Sequence, residues 1–251
     1  MSAPSRPPDT TPGAAAARPL HERFTARERR RNLGLLFSAH FVSGFAQGIT
    51  LIAIPWYIVS RLGAPELNAA VLGSIQLVIA GWGLYGGTLV DKYNRKHLLM
   101  SINAAGALVL AGASLWGFLV GFPVAGAADV PGFWSLPTTW ISVALLGLIV
   151  LSTYMIFTIY YPNLYAFLQE LFPPELYGRV NAGVEFLGQL TNAIGMAVGS
   201  ILLDGTLGLD FWPAGWHLMA WPLEQMFLLN TGTYLAALAI LSFIRYRMRP
   251  R

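Results

Sequence analysis

Long apolar stretches with at most one charged residue recur six times along the 251-residue chain, separated by short segments that hold most of its charged residues. A helix that crosses a bilayer needs roughly 20 mainly apolar residues, because unpaired polar groups in hydrocarbon each cost several kcal/mol. The six stretches meet this requirement and predict an all-α integral membrane protein with six transmembrane helices. The predicted spans cover about residues 33–60, 68–90, 97–121, 137–168, 180–203 and 222–244.

The segment before the first span is polar. Residues 1–24 are rich in Pro, Ala, Ser and Arg and contain no apolar core of the kind that a signal peptide requires, which predicts a disordered cytoplasmic tail. Thr25 and Glu28 have the spacing of a capping box, which predicts a short basic helix over residues 25–32. This helix would lead directly into a six-span membrane domain over residues 33–245.

The overall composition agrees with a membrane protein. Hydrophobic residues make up 55% of the chain and charged residues only 11%, whereas an ordinary soluble domain carries about 25% charged residues. This excludes a soluble enzyme, and the grouping of apolar residues into blocks excludes a disordered chain. The absence of Cys excludes disulfides and thiolate chemistry. No phosphate-binding loop, metal-ligand cluster or nucleophile motif is present either, so we expect no enzyme activity, cofactor or metal.

The positive charges predict how the chain crosses the membrane. Lys and Arg accumulate on the cytoplasmic side, and Arg61 alone of the 16 basic residues lies in a loop on the opposite side. Both termini, including a basic tail at residues 246–251, are therefore expected in the cytoplasm of a multi-pass protein of the cell (plasma or inner) membrane. Five tryptophans are expected at the outer headgroup level: Trp134, Trp140, Trp212, Trp216 and Trp221.

A short, highly charged turn between spans two and three carries the most specific pattern in the sequence. It reads Gly-Gly-Thr-Leu-Val-Asp-Lys-Tyr-Asn-Arg-Lys over residues 86–96. Small residues permit close helix approach, and an acid at a helix end then faces several bases across a short loop. Such a junction can lock and release, so we interpret it as a cytoplasmic gate. The gate residues are Gly87, Asp91, Lys92, Arg95 and Lys96.

The spacing and chemistry of this turn resemble the signature of the major facilitator superfamily, G-x-L-a-D-r-x-G-r-r/k. Asn94 stands where Gly is usual in that signature, and Asn is the next best residue for a left-handed turn. Residues 161–175 and 178–182 look similar to stretches of the export-type branches, including macrolide and siderophore exporters. The resemblance extends from residue 33 to residue 245 and implies a membrane transporter.

The resemblance also implies an architecture. Such transporters have two halves of six helices, each a 3+3 inverted repeat, with the substrate cavity between them. Similar segments at residues 86–91 and 199–204 are consistent with this repeat. The chain corresponds to an N-terminal half, so a second half is expected from another copy, a separate chain or a continuation. Residues 195–204 lack the Pro and final Gly pair of the antiport pattern G-x-x-x-G-P-x-x-G-G, and proton coupling is therefore unsupported.

One acidic residue lies well inside a predicted span. Glu185 is about six residues, roughly 9 Å, from the cytoplasmic end of span five, and an acid at this depth indicates function by default. It could bind a proton or cation, or it could pair with Arg179 or the basic turn as a latch of the gate, which we favour. Glu170 is a further gate partner, with a solvated loop charge as its alternative.

Several uncharged polar residues within the spans are candidates for lining a cavity. His40 and Gln47 lie on one face of span one, and Gln189 and Asn192 follow Glu185 on one face of span five. The alternative for each is a hydrogen bond between helices. The candidates in span four are Tyr154, Tyr160, Tyr161 and Asn163, whose aromatic members could instead serve packing.

These features lead to two hypotheses for function. The first is a half-sized secondary transporter that moves a small organic solute, with efflux implied by the resemblance, by alternating access after two halves assemble. The second is a non-transporting membrane subunit that serves as a scaffold or accessory in a larger complex. Expected partners are the lipid bilayer and either a second half or that complex. Topology and anionic lipid explain the Arg-rich N-terminus, so nucleic-acid binding is not predicted.

Overall fold

The computed structural model of the protein describes residues 24–122, 137–204 and 220–244. Every regular element in these residues is helical. A π-helical turn, Tyr57–Arg61, extends the first helix, and a 3₁₀ turn, Pro174–Leu176, connects the fourth helix to the fifth. The six long helices are α1 Ala26–Trp56, α2 Pro65–Lys92, α3 Arg95–Val120, α4 Pro137–Leu171, α5 Tyr177–Asp204 and α6 Leu223–Ser242.

Parts of three predictions fall outside the described residues. These are residues 1–23 of the N-terminal tail, the tail at 246–251 and most of the tryptophan belt. Trp221 is described, and it lies partly buried just before α6. The belt residues Trp134, Trp212 and Trp216 lie outside the described residues, as does the side chain of Trp140.

The six predicted spans correspond to the six helices. Five helices of the described residues are long and apolar enough to cross a membrane. The remaining helix, α2, bends by 47° between Pro65–Gly83 and Tyr85–Lys92 and counts as a span when both arms are taken together. Sharp helix kinks often occur at glycines, and Gly81 and Gly83 lie just before this bend. An all-helical, multi-pass membrane architecture is therefore confirmed, with five to six candidate spans.

The first helix begins with the predicted capping box. Thr25 Oγ1 accepts a hydrogen bond from Glu28 N at 3.2 Å, and the Glu28 carboxylate accepts one from Thr25 N at 3.0 Å. These reciprocal bonds satisfy amide groups that the start of a helix leaves unpaired. From Ala26 the helix runs without a break to Trp56, so the basic segment predicted at residues 25–32 is the first part of α1.

The central helix of the bundle is α1. It packs against α5 and α6, while α2 packs against α4, and α3 packs against both α4 and α6. Two apolar clusters fill the interior, one towards each end of the helices. Ile49 and Phe227 belong to one cluster, and Leu36 and Phe167 belong to the other. A small polar layer around His40 of α1 lies between them.

Glycines form the contact between α1 and α5. A methyl group at Gly48 would lie 2.9 Å from the Gly195 Cα and closer still to the Asn192 carbonyl oxygen. Hydrocarbon provides no hydrophobic driving force between helices, so membrane helices associate through close packing of this kind. We call this contact the glycine seam, which comprises Gly44 and Gly48 of α1 and Gly188, Gly195 and Gly199 of α5.

Candidate functional site

The turn between α2 and α3 is stabilised by the side chain of Asn94. Its Oδ1 accepts hydrogen bonds from Lys96 N at 3.0 Å and His97 N at 3.2 Å, which caps the first turn of α3. Asn94 has a φ of −63°, so the left-handed conformation expected at this position is wrong. A helix N-cap requires a non-helical backbone and a short side-chain acceptor, and Asn supplies both. The departure from the superfamily signature therefore has a structural role.

Arg95 connects this turn to α4. Its guanidinium lies 3.9 Å from the Asp91 carboxylate and 3.7 Å from that of Glu170, and only 16% of its side chain is exposed. Its carbonyl oxygen accepts a hydrogen bond from Asn163 Nδ2 at 2.9 Å. The fold thus brings together three predicted gate residues. Asn163 is fully buried beside the turn, so it supports the turn here and does not line a cavity, contrary to expectation.

Lys96 binds the end of α6 and not an acid. Its ammonium donates to the carbonyl oxygens of Ser242 at 2.9 Å and Ile244 at 2.7 Å. Arg31 of α1 donates to the intervening carbonyl, that of Phe243, at 3.0 Å. Cations are favourable at helix C-termini, where carbonyls lack donors within the helix. The predicted gate residue Lys96 therefore ties the end of α6 to α3, while Arg31 ties it to α1.

Two other predicted gate residues lie apart from this network. Lys92 is exposed, and its ammonium lies 5.7 Å from the centre of the Tyr93 ring. A Cβ at Gly87 would have no atom of the bundle within 4 Å, whereas a Cβ at Gly86 would lie 3.3 Å from the Thr158 carbonyl oxygen of α4. Successive residues point about 100° apart around a helix. Gly86, and not the gate residue Gly87, therefore makes the close approach to α4.

Two neutral residues hold the carboxylate of Glu185. It accepts hydrogen bonds from Tyr165 Oη of α4 and from Gln189 Nε2, each at 2.9 Å. Glu185 and Gln189 both lie on an exposed face of α5, and Arg179 is exposed near the start of the same helix. Contrary to the expected latch, Glu185 therefore pairs in this structure with neither Arg179 nor the basic turn.

A polar layer surrounds His40, which is only 2% exposed. Its Nδ1 lies 3.1 Å from Tyr160 Oη, and its Nε2 lies 3.2 Å from the carbonyl oxygen of Val184. A carbonyl can only accept, so Nε2 donates this bond. The ring of Tyr161 contacts the imidazole edge-on, with 5.7 Å between the centroids. His40 therefore joins α1 to α4 and α5.

A cavity of about 10 Å³ lies beside His40, which is room for about one water molecule. The predicted residues His40, Gln47 and Tyr160 all line it. Sequence reasoning missed Ser43 and Asn103 on the same wall, where the Ser43 hydroxyl donates to Asn103 Oδ1 at 3.0 Å. The signal for Ser43 was present, since it lies three residues after His40 on one helical face.

The remaining two candidates lie elsewhere on α5. Gln189 is exposed beside Glu185. Asn192 is half-buried, and its carbonyl oxygen lies in the glycine seam opposite Gly48. Gln189 and Asn192 therefore do not share one polar face, because Gln189 points out of the bundle and Asn192 lies where α5 contacts α1.

The exposed faces of the bundle differ in polarity. The helix α3 exposes apolar side chains, among them Leu108, Leu115 and Leu119, whereas α5 exposes Glu185 and Gln189 beside apolar side chains such as Phe186. Charged and amide groups are costly in hydrocarbon, so the α3 face suits lipid and this part of α5 suits water or protein. Within the described residues, no group of three His, Asp or Glu side chains could hold a metal ion.

These features define a class of protein. A multi-pass helical bundle with a capped basic turn, a polar interior layer and exposed polar side chains on a membrane-spanning helix has the properties of a membrane transporter subunit. The family model of the Major Facilitator Superfamily matches residues 36–251. The chain therefore belongs to the Major Facilitator Superfamily.

Two relatives of the chain are named as a multidrug resistance protein and a multidrug efflux pump. Multidrug resistance protein MdtH of Yersinia enterocolitica is 29% identical over 207 residues, which cover 80% of this chain and 43% of MdtH. Multidrug efflux pump Tap of Mycobacterium tuberculosis is 27% identical over 86 residues, which cover 34% of this chain and 20% of Tap. The chain thus spans less than half the length of either relative over the matched regions. No solved structure matches the chain significantly.

Proposed function

We propose that the chain forms one six-helix half of an efflux transporter of the cell membrane, which exports a small organic solute by alternating access when joined to a second half. The observation that carries this proposal is the exposed polar part of α5, formed by Glu185 and Gln189. Within a membrane such groups require water or protein as neighbours. A second half placed against α5 would enclose them in a cavity between the halves.

The size of the interior cavity supports the need for a second half. Sites for small organic ligands usually have volumes of about 300–1,000 Å³. The cavity beside His40 measures about 10 Å³, which is far too small for such a solute. A solute site formed between two halves is consistent with both the closed interior and the polar exposed face.

Helix packing supports the inverted repeat that is part of the proposal. Such a repeat exchanges α1 with α4, α2 with α5 and α3 with α6. The contact of α1 with α5 then corresponds to that of α4 with α2, and the contact of α1 with α6 corresponds to that of α4 with α3. Gly86 and Gly199 occupy equivalent places in the two similar segments, and they contact α4 and α1 respectively.

The distribution of charge supports cytoplasmic termini. One end of the bundle holds the start of α1, the basic turn and the start of α5, and the opposite end holds a single described basic residue, Arg61. Basic residues are retained on the cytoplasmic side of membranes. The basic residues at the first end are Arg27, Arg29, Arg30, Arg31, Lys92, Arg95, Lys96 and Arg179.

The linked residues Asp91, Arg95 and Glu170 are proposed as the cytoplasmic gate. The Asp91 side chain is 84% exposed at the end of α2, whereas Arg95 is largely enclosed. An exposed acid at this position is placed to contact a second half, while Arg95 remains tied to α4 through Glu170. Rocking of the halves would then form and break contacts of Asp91 without disturbing the rest of the turn.

A non-transporting subunit is the second candidate function. The small interior cavity favours it, because the space beside His40 is too small for an organic solute. In that case the polar part of α5 would contact a dissimilar protein of a larger complex. The two candidates therefore predict different neighbours for the same helix face.

The experiment that separates them combines composition with transport. The complex is extracted gently from its native membrane, its mass and components are determined, and ethidium efflux is measured in cells that carry wild-type or Asp91→Asn protein. We expect the complex to contain two six-helix halves. We also expect Asp91→Asn to insert normally into the membrane and to slow efflux about tenfold, which corresponds to a rise of about 1.4 kcal/mol in the activation free energy of transport.

The control is Glu66→Gln, which removes an exposed acid at the opposite end of the same helix and should leave efflux unchanged. Normal efflux by Asp91→Asn would contradict the gate. A stable complex with dissimilar subunits and no ethidium efflux would favour the subunit instead.

A further inference from the structure

The end of the bundle opposite the basic turn contains a cavity of about 360 Å³, large enough for a small ligand. It lies where α1 and α3 end and α6 begins, and it has no part in the proposed transport mechanism. Two residues of opposite charge, Arg61 and Glu224, lie in its wall. The aromatic side chains of the wall are Trp56, Tyr57, Phe122 and Trp221.

The two charges of this cavity do not neutralise each other. The guanidinium of Arg61 lies over the ring of Trp56, 5.3 Å from its centroid. Tyr57 lines the cavity together with both charged residues. In the part of the chain that the structure describes, neither charge has an ion-pair partner. Among the described residues, the cavity therefore offers one cationic and one anionic group without an ion-pair partner.

The aromatic wall is held in place by packing. The ring of Phe122 contacts those of Tyr57 and Phe227 edge-on, with 6.0 Å and 5.8 Å between the centroids. Gly121 precedes it with a φ of 83°, a conformation that glycine adopts readily and that turns the chain back at the end of α3. The Phe122 ring is therefore fixed in the wall before any ligand arrives.

We propose that this cavity binds a zwitterion that carries a phosphate or carboxylate and an ammonium group. Arginine binds phosphate and carboxylate oxygens through its planar array of donors. A carboxylate and aromatic faces together bind an ammonium group. A purely cationic ligand would be repelled by Arg61, and a purely anionic ligand would be repelled by Glu224. Two separated charges of opposite sign thus select a ligand that has both.

The phosphoethanolamine headgroup of a membrane lipid has this chemistry, and free phosphoethanolamine in water shares it. Helix ends with tryptophans are typical of the headgroup level of a bilayer, which favours the lipid as the source. A role as headgroup anchors would by itself be enough to explain Trp56 and Trp221. It would not explain a cavity with two opposite charges that lack ion-pair partners among the described residues.

The test measures tryptophan fluorescence and thermal unfolding of the purified protein in detergent during titration with short-chain phosphatidylethanolamine. Phosphatidylglycerol with the same chains lacks the ammonium group, and free phosphoethanolamine lacks the chains. We expect the wild type to bind phosphatidylethanolamine about tenfold more tightly than phosphatidylglycerol. Glu224→Gln should abolish this preference, and Glu224→Asp should retain it. Glu66→Gln, a matched acid at the same end of the bundle and outside the cavity, should behave as the wild type.

The outcomes separate the lipid from a soluble ligand. A preference for phosphatidylethanolamine that is lost in Glu224→Gln but kept in Glu224→Asp and Glu66→Gln supports the lipid site. If free phosphoethanolamine binds as tightly as the lipid, and Glu224→Gln weakens its binding too, the ligand is a soluble zwitterion. Equal binding of the two lipids by the wild type, or a preference that survives Glu224→Gln, would overturn the proposal. Arg61→Gln should weaken both lipids about tenfold, which is a second check if Glu224→Gln does not fold.

Discussion

The two sides of α5 show how one helix can serve two purposes. Towards α1 it presents the glycine seam, where the backbones of the two helices lie directly against each other at Gly48 and Gly195. On its exposed side it presents Glu185 and Gln189, which are bonded to each other and to Tyr165. The seam side stabilises this half by itself, whereas the exposed side becomes favourable only with water or protein beside it. Substitutions on the two sides should therefore affect different properties.

The largest effect is expected in the seam, from Gly195→Leu. A Cβ at Gly195 already meets the Phe45 carbonyl oxygen and would lie 3.1 Å from the Gly48 Cα, so a larger side chain must push α1 and α5 apart. Overpacking of this kind costs about 3 kcal/mol of unfolding free energy or more. Thermal unfolding in detergent measures the loss. Gly112→Leu on α3 is the matched control, because a Cβ there has open space; equal stability of the two variants would show that the seam is not tight.

A smaller loss is expected from His40→Ala, at the polar end of the same contact. The substitution removes the bonds to Tyr160 Oη and the Val184 carbonyl oxygen and leaves both groups buried. Hydrogen bonds between membrane helices contribute about 0.6–2 kcal/mol each, so we expect about 2 kcal/mol in all. The exposed residue His97 provides the control, since His97→Ala should leave the unfolding temperature unchanged. If His40→Ala were as stable as this control, the polar layer would not hold α1 to α4 and α5.

The smallest change in stability is expected on the exposed side, from Glu185→Gln. Gln can keep a hydrogen bond to Tyr165 or Gln189, and exposed substitutions usually change unfolding free energy by less than about 0.5 kcal/mol. Ethidium efflux by the assembled transporter should nevertheless fall, by about tenfold if the charge faces the cavity between the halves. Unchanged efflux together with a large loss of stability would reverse the assignment of the two sides of α5.

The sequence patterns that predicted correctly are local ones. Hydropathy locates the helices because the cost of placing a given residue type in hydrocarbon depends little on its neighbours in the fold. The capping box of Thr25 and Glu28 depends on a spacing of three residues and is found where predicted. Asp91, Arg95 and Glu170 come together because the turn is too short to separate α2 from α3, and α4 ends beside it.

The errors concern the direction in which each helix faces. Asn163 is buried and supports the turn, and Gly86 rather than Gly87 contacts α4. A rotation of about 100° separates neighbouring residues of a helix, and packing against the other helices decides this rotation. Hydropathy cannot supply it here, because lipid-facing and buried residues are both apolar. The conformation of Asn94 could have been predicted from the sequence, because an Asn directly before a helix is an N-cap signal.

The contact between α1 and α5 also has a consequence for biosynthesis. His40 and Val184, which are bonded across this contact, are 144 positions apart in the chain. At a synthesis rate of about 5–20 residues per second, α1 therefore emerges from the ribosome on the order of 10 s before α5. During that delay the polar side chains of α1 lie without their final neighbours on α5. Until α5 is inserted, the polar side chains of α1 must therefore be kept out of lipid by the insertion machinery or by α2, α3 and α4.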